Sequence, residues 1–128
     1  MVIDSSALLS IFLREPRYEA FFEKISRSTI AVIGAPTLLE VTMVLSARTG
    51  RDARGEIARS LRRLQILVIP FTEEHFEVAA DAFHRYGKGR HPAALNFGDC
   101  MSYAVAAVGG FPLLYTGNDF AQTDIQAA

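Results

Sequence analysis

Four short apolar runs, Val2-Ile3, Ile30 to Ile33, Ile66 to Ile69 and Pro112 to Tyr115, alternate with stretches of helical periodicity, and nothing else in the chain constrains its fold as strongly. Short unbroken apolar runs bounded by turn residues read as strands buried on both faces. Strands joined through helices, rather than through tight hairpins, call for a parallel sheet covered by helices on both sides. The expected class is therefore α/β. The 128 residues, with no repeat and no low-complexity stretch, suit one domain over residues 1–128.

The helices punctuate this plan. Asp4, Ser5 and Ser6 are N-cap residue types ahead of a helix over Ala7–Leu13. Pro16 at a first helical position opens a second through Ser26. Gly34 ends the second strand, Pro36 starts a helix to about Arg48, and Gly50 stops it. Between Asp52 and Leu64 the stripe Ile57, Leu61, Leu64 is core-facing and Arg54, Arg59, Arg62 and Arg63 form a solvated face. Thr72 caps a helix through Tyr86 that turns Phe76, Ala79, Ala80 and Phe83 inward. A basic loop, Gly87 to Pro92, precedes a helix from about Gly98 to Val108, and Thr116 to Phe120 form the turn after the fourth strand.

In parallel sheets the carboxyl ends of the strands share one edge, and ligands bind outside that edge. Asp4, Glu40, Asp99 and Asp119 each lie near the start of a helical pattern, so the topology gathers four acids into one cleft. Singly, Asp4 and Asp119 are explained as caps and Asp99 as a complement to a helix N-terminus. Glu40 is not, because it lies inside its helix on a face shared with Thr37, Met43, Val44 and Ala47. Clustered carboxylates repel by about 1 kcal/mol at 4 Å in water and about 4 at an effective dielectric of 20. Raised pKa values, arginine partners or divalent cations can offset that cost. Hard oxygen ligands with open water positions favour Mg²⁺ or Mn²⁺, and no His/Cys set has zinc spacing. The reaction class this chemistry suits is metal-dependent phosphodiester hydrolysis. An aspartyl phosphotransfer domain using Asp4 is the other enzymatic reading, although Ser5-Ser6 supply no second aspartate beside it.

The sequence Val2-Ile3-Asp4-Ser5-Ser6-Ala7, Glu40 in its helix, Leu95-Asn96-Phe97-Gly98-Asp99-Cys100 and Thr116-Gly117-Asn118-Asp119-Phe120 resembles the PIN-domain ribonucleases over nearly the whole chain. Within them it is most similar to the VapC toxins of bacterial toxin–antitoxin modules, and Tyr86 to His91 resembles one VapC subgroup. The resemblance implies a PIN-like three-layer α/β/α sandwich with a central parallel sheet, and Mg²⁺-dependent (or Mn²⁺-dependent) endonucleolytic cleavage of RNA. It assigns Asp4 and Asp99 as principal metal ligands and Glu40 and Asp119 as the remaining catalytic acids. Ser5 or Thr116 would offer a hydroxyl to a water in the site. It also implies a VapB antitoxin and a toxin homodimer. A PIN fold used only for RNA or protein binding is the alternative, against which the intact acidic quartet stands.

A formal net charge of −1 excludes a broadly basic nucleic-acid coat, so any RNA phosphate contact must be local, and Lys88, Arg90 and His91 are the candidates. Cys100, the single cysteine, cannot close an intramolecular disulfide and reads as a packing residue in a reducing compartment. No basic segment precedes the first apolar residues, and Ala104 to Leu114 is broken by Gly109-Gly110 and Pro112, so a cytoplasmic protein without a membrane span is expected. His75 and His84 receive no chemical role. The phenylalanines and tyrosines fall at core spacing, Phe120 being the one to test as an exposed stacking group.

Overall fold

The computed structural model describes all 128 residues, in the order β1 (Val2–Ile3), α1 (Ser5–Phe12), α2 (Tyr18–Arg27), β2 (Ala31–Gly34), α3 (Ala35–Thr49), α4 (Arg54–Arg63), β3 (Ile66–Ile69), α5 (Glu73–Tyr86), α6 (Phe97–Gly109) and β4 (Leu113–Leu114), with a final 3-10 turn at Phe120–Gln122. The four strands form one parallel sheet in the order β3-β2-β1-β4. Alternation along the strands splits the interior into two cores. Val2, Val32 and Leu113 pack with Ala79, Leu95, Tyr103 and Ala104 on one side. Ile3, Ile33 and Leu114 pack with Leu8, Ile25, Val41, Leu45 and Ile57 on the other. Burying side chains such as Ile3 and Ile33 completely contributes roughly 1.5–3 kcal/mol each. The three-layer α/β/α arrangement is the one expected.

β1 is the pivot. From it the chain builds outward through β2 to β3, then returns to place β4 on its other side, so the strand order reverses at the carboxyl end of β1. That is where a crevice opens in a sheet of this kind.

Several boundaries differ from the sequence reading. α2 starts at Tyr18 rather than Pro16, because Arg17 takes a left-handed conformation (φ 73°) at its N-cap. Gly34 is the last residue of β2 and not its terminator, and a Cβ there would lie 2.9 Å from Val105 Cγ2. Glycine is what lets this strand approach α6. Leu67 and Val68 of edge strand β3 are exposed, so the sheet's cover stops short of that strand. Phe76 and Phe83 are also exposed, lining a surface groove with Phe97 and Met101 instead of entering the core. No helix is long and apolar enough to cross a membrane.

Candidate active site

Asp4 stands at the end of β1, where its amide donates to Leu114 O at 2.9 Å and its carboxylate caps α1. The carboxylate is 3% exposed and held on both sides. Its Oδ2 accepts from the Ser6 amide (3.0 Å) and the Ser6 hydroxyl (2.5 Å), while its Oδ1 accepts from the buried Ser102 hydroxyl at 2.6 Å. The Ser6 oxygen in turn accepts the Thr116 amide at 3.0 Å, tying the exit of β4 to the same point. No second aspartate stands among the groups that bond Asp4, which is the partner the phosphotransfer reading needs.

Asp99 arrives from the first turn of α6, in a reciprocal capping box. The Asn96 amide donates to Asp99 Oδ2 and the Asp99 amide to Asn96 Oδ1, both at 2.9 Å. A capping carboxylate at a helix N-terminus should be more acidic than usual. Asp99 instead has its pKa pushed up to about 6, chiefly by burial, with the charges of Asp4, Asp119 and Glu40 adding and the Asn96 amide opposing. Capping therefore does not account for its environment. Glu40, in the second turn of α3, is likewise raised, chiefly by burial, against the Ser5 hydroxyl and with Asp4 adding. Gly98 makes room for it, since a Cβ there would stand 2.8 Å from Glu40 Oε2. Asp119 is exposed, leads into the 3-10 turn, and makes no side-chain capping bond.

Asp99 thus feels the charges of all three other acids, so the quartet lies within electrostatic range of one another. No arginine or lysine offsets it. The four ion pairs of the chain, Arg27–Glu23, Arg51–Glu56, Arg54–Asp52 and Arg85–Asp124, are all surface pairs elsewhere. With arginine partners absent, protons and an external cation are the remaining means of offsetting the repulsion. As the side chains stand, no three His, Cys, Asp or Glu residues converge closely enough to share one ion. The donor set nonetheless fits a hard divalent cation: it is all carboxylate oxygen, and Asp99 Oδ1 carries no hydrogen bond within the chain.

The other expected binding residues are less convergent. Ser5 stands by Glu40, and Thr116 contributes its amide to Ser6. Lys88 is exposed. The Arg90 guanidinium lies 5.2 Å from the Phe83 ring centroid, and His91 accepts the Ala93 amide at 3.1 Å with its ring edge-on to Tyr86. The basic loop is thus braced against α5, and none of its cations pairs with the acids. The reading of every aromatic as core needs correction: Phe97, directly before Gly98 and Asp99, is 79% exposed. Phe120 is buried against Tyr115 and cannot serve as a stacking group.

Sequence reasoning missed Ser6, Ser102 and Gly98 and left Thr37 without a role. Ser6 had a signal, because a serine two residues after a capping aspartate is placed to bond it. Thr37 and Ser102 lie three residues from Glu40 and Asp99, a spacing that gains meaning only once α3 and α6 are known to flank β1.

A family model described as PIN domain matches residues 1–126. Ribonuclease VapC36 of Mycobacterium tuberculosis is 44% identical over 127 residues, covering 98% of this chain and 91% of the relative. Ribonuclease VapC of Mycolicibacterium smegmatis is 38% identical over 127 residues, covering 99% and 98%. Among solved structures, the sarcin-ricin-loop-cleaving toxin VapC20 of Mycobacterium tuberculosis superposes with a TM-score of 0.75 at 20% identity, over 99% of this chain and 97% of that one. A toxin–antitoxin complex from Klebsiella pneumoniae gives 0.72 at 19% identity, over 96% and 92%.

Proposed function

The chain belongs to the PIN-domain family, among its VapC ribonucleases, and we propose from that premise that Asp4, Glu40, Asp99 and Asp119 are the acids with which it hydrolyses RNA, as the toxin of a VapBC pair. The observation that carries this reading is a set of four carboxylates whose charges act together on Asp99, with no cationic side chain paired to any of them. Asp4 and Asp99 would be the principal residues to hold a divalent cation, Mg²⁺ with Mn²⁺ as a substitute, which when bound would supply Lewis-acid activation of a phosphoryl oxygen and of water.

The protein's own part is to hold these groups ready. Asp4 is fixed by Ser6 and Ser102, and Asp99 is fixed on one oxygen and free on the other. Glu40, half-buried beside Gly98, retains a proton more readily than an ordinary glutamate, which suits it to hold and release one near the scissile bond. Lys88 supplies phosphate contact from the loop ahead of α6, with Arg90 and His91 shaping that loop, and the Ser5 hydroxyl beside Glu40 and that of Thr116 after β4 are the candidates to bond water or substrate. The protein partners in this reading are a VapB-type antitoxin and a second copy of the chain. The exposed apolar residues Leu39, Met43, Phe76, Phe83 and Phe97 beside the cleft offer surface for such contacts. The proposed domain extent is the whole of residues 1–128.

The ends of the RNA fragments test this chemistry. Attack by water with departure of the 3′ oxygen leaves 5′-phosphate and 3′-hydroxyl termini, and cleavage should stop in EDTA and resume with Mg²⁺. EDTA-resistant fragments ending in 2′,3′-cyclic phosphate would show that the ribose hydroxyl is the nucleophile and refute it.

A further inference from the structure

Beneath the acids lies a short chain of buried hydroxyls. Thr37 Oγ1 and Ser102 Oγ are 3.2 Å apart, and Ser102 Oγ is 2.6 Å from Asp4 Oδ1. Both residues are 1% exposed. Counting protons fixes the direction of the chain. An ionised carboxylate has none to give, so the single hydroxyl proton of Ser102 goes to Asp4, and the Ser102 oxygen receives that of Thr37. The bond at the carboxylate is charge-assisted, and the second bond polarises the first.

The placement gives the relay its use. Thr37 lies one turn before Glu40 on α3, and Ser102 one turn after Asp99 on α6, a spacing that puts each pair on one helix face. Two consecutive hydrogen bonds therefore link β1, α3 and α6, the three elements that carry Asp4, Glu40 and Asp99. Valine and alanine would fill these sites with little change of volume, yet the core carries hydroxyls, and no buried side-chain polar atom lacks a partner.

We propose that Thr37 and Ser102 are positioning residues whose relay sets the plane of the Asp4 carboxylate against Glu40 and Asp99, and through it the affinity of the cleft for a divalent cation. This rests on the metal-dependent reading above.

Calorimetric titration of Mn²⁺ into the full chain, with thermal melts run alongside, separates positioning from packing. Ser102→Ala should weaken Mn²⁺ binding about tenfold, the lower end for loss of a group that orients a ligand. Thr37→Val should weaken it by roughly threefold on the same grounds, and Thr37→Ser, which restores the hydroxyl, should bind as the wild type does. In the double variant Ser102→Ala/Thr37→Val the second change should add nothing, because the relay is already cut. If Ser102→Ala and Thr37→Val both bind Mn²⁺ within about twofold of wild type, whatever their melting temperatures, or if their effects simply add, the relay is overturned and the hydroxyls are packing groups. A wild-type chain that binds Mn²⁺ no better than Asp99→Asn would overturn the metal reading itself, and this inference with it.

Discussion

Asp99→Asn is expected to cut RNA cleavage by roughly 10²- to 10³-fold, the scale for removing one group that stabilises charge in the transition state, while making the metal-free protein more stable at pH 7. Both effects share a cause. The folded-state pKa of Asp99 is raised to about 6, so the metal-free fold holds a proton that the unfolded chain has already released. The associated stability is fully present below the unfolded-state value of 3.8 and is lost as pH rises through about 6. The full rise would correspond to about 3 kcal/mol for an enclosed group, and discounting by half for solvent screening leaves about 1.5 kcal/mol. Asparagine retains an acceptor for the Asn96 amide, so the capping box survives the change. Urea denaturation in EDTA at pH 4.5 and pH 7 checks the sign: the wild type should lose stability across that interval relative to Asp99→Asn. Added Mg²⁺ at pH 7 should stabilise only the wild type.

Asp4→Asn should cut cleavage on the same scale, but with the opposite effect on stability. The carboxylate now accepts three hydrogen bonds, two on Oδ2 and one on Oδ1. An amide presents one accepting oxygen and one donating nitrogen, so the Ser102 hydroxyl must turn its proton toward Thr37 and every bond at this position becomes neutral rather than charge-assisted. Trading hydrogen bonds to a charged group for neutral ones costs about 1 kcal/mol or more in total. Two adjacent acids of one site would then respond in opposite senses to the same substitution, which a generic loss of negative charge does not produce. Equal destabilisation of both variants in matched urea melts would contradict the hydrogen-bond assignments.

The parallel sheet and its helices were legible because strand and helix periods differ and because Gly50, Pro36 and Thr72 punctuate the chain as backbone chemistry requires. The neighbourhood of the four acids, though not their role, was legible for a topological reason: parallel strands deliver their carboxyl ends to one edge, and Asp4, Asp99 and Asp119 follow or precede turns at that edge. What could not be read was how the acids are held. Ser102 lies 98 positions from Asp4 along the chain, and no local pattern foretells a hydrogen bond across that separation. Nor could periodicity distinguish a core-facing apolar stripe from one lining a surface groove. Phe76 and Phe83 recur at the same spacing as buried residues, yet they face a side of α5 that the sheet does not cover.

Anomalous diffraction from crystals of the wild-type protein soaked in Mn²⁺ tests most directly the proposal that the four acids share a divalent ion. The expected result is a manganese peak bounded by carboxylate oxygens of Asp4 and Asp99, with Glu40 and Asp119 turned toward it, and the loss of that peak in Asp99→Asn crystals. A well-diffracting, manganese-soaked crystal whose only anomalous peaks lie away from these four residues would contradict it.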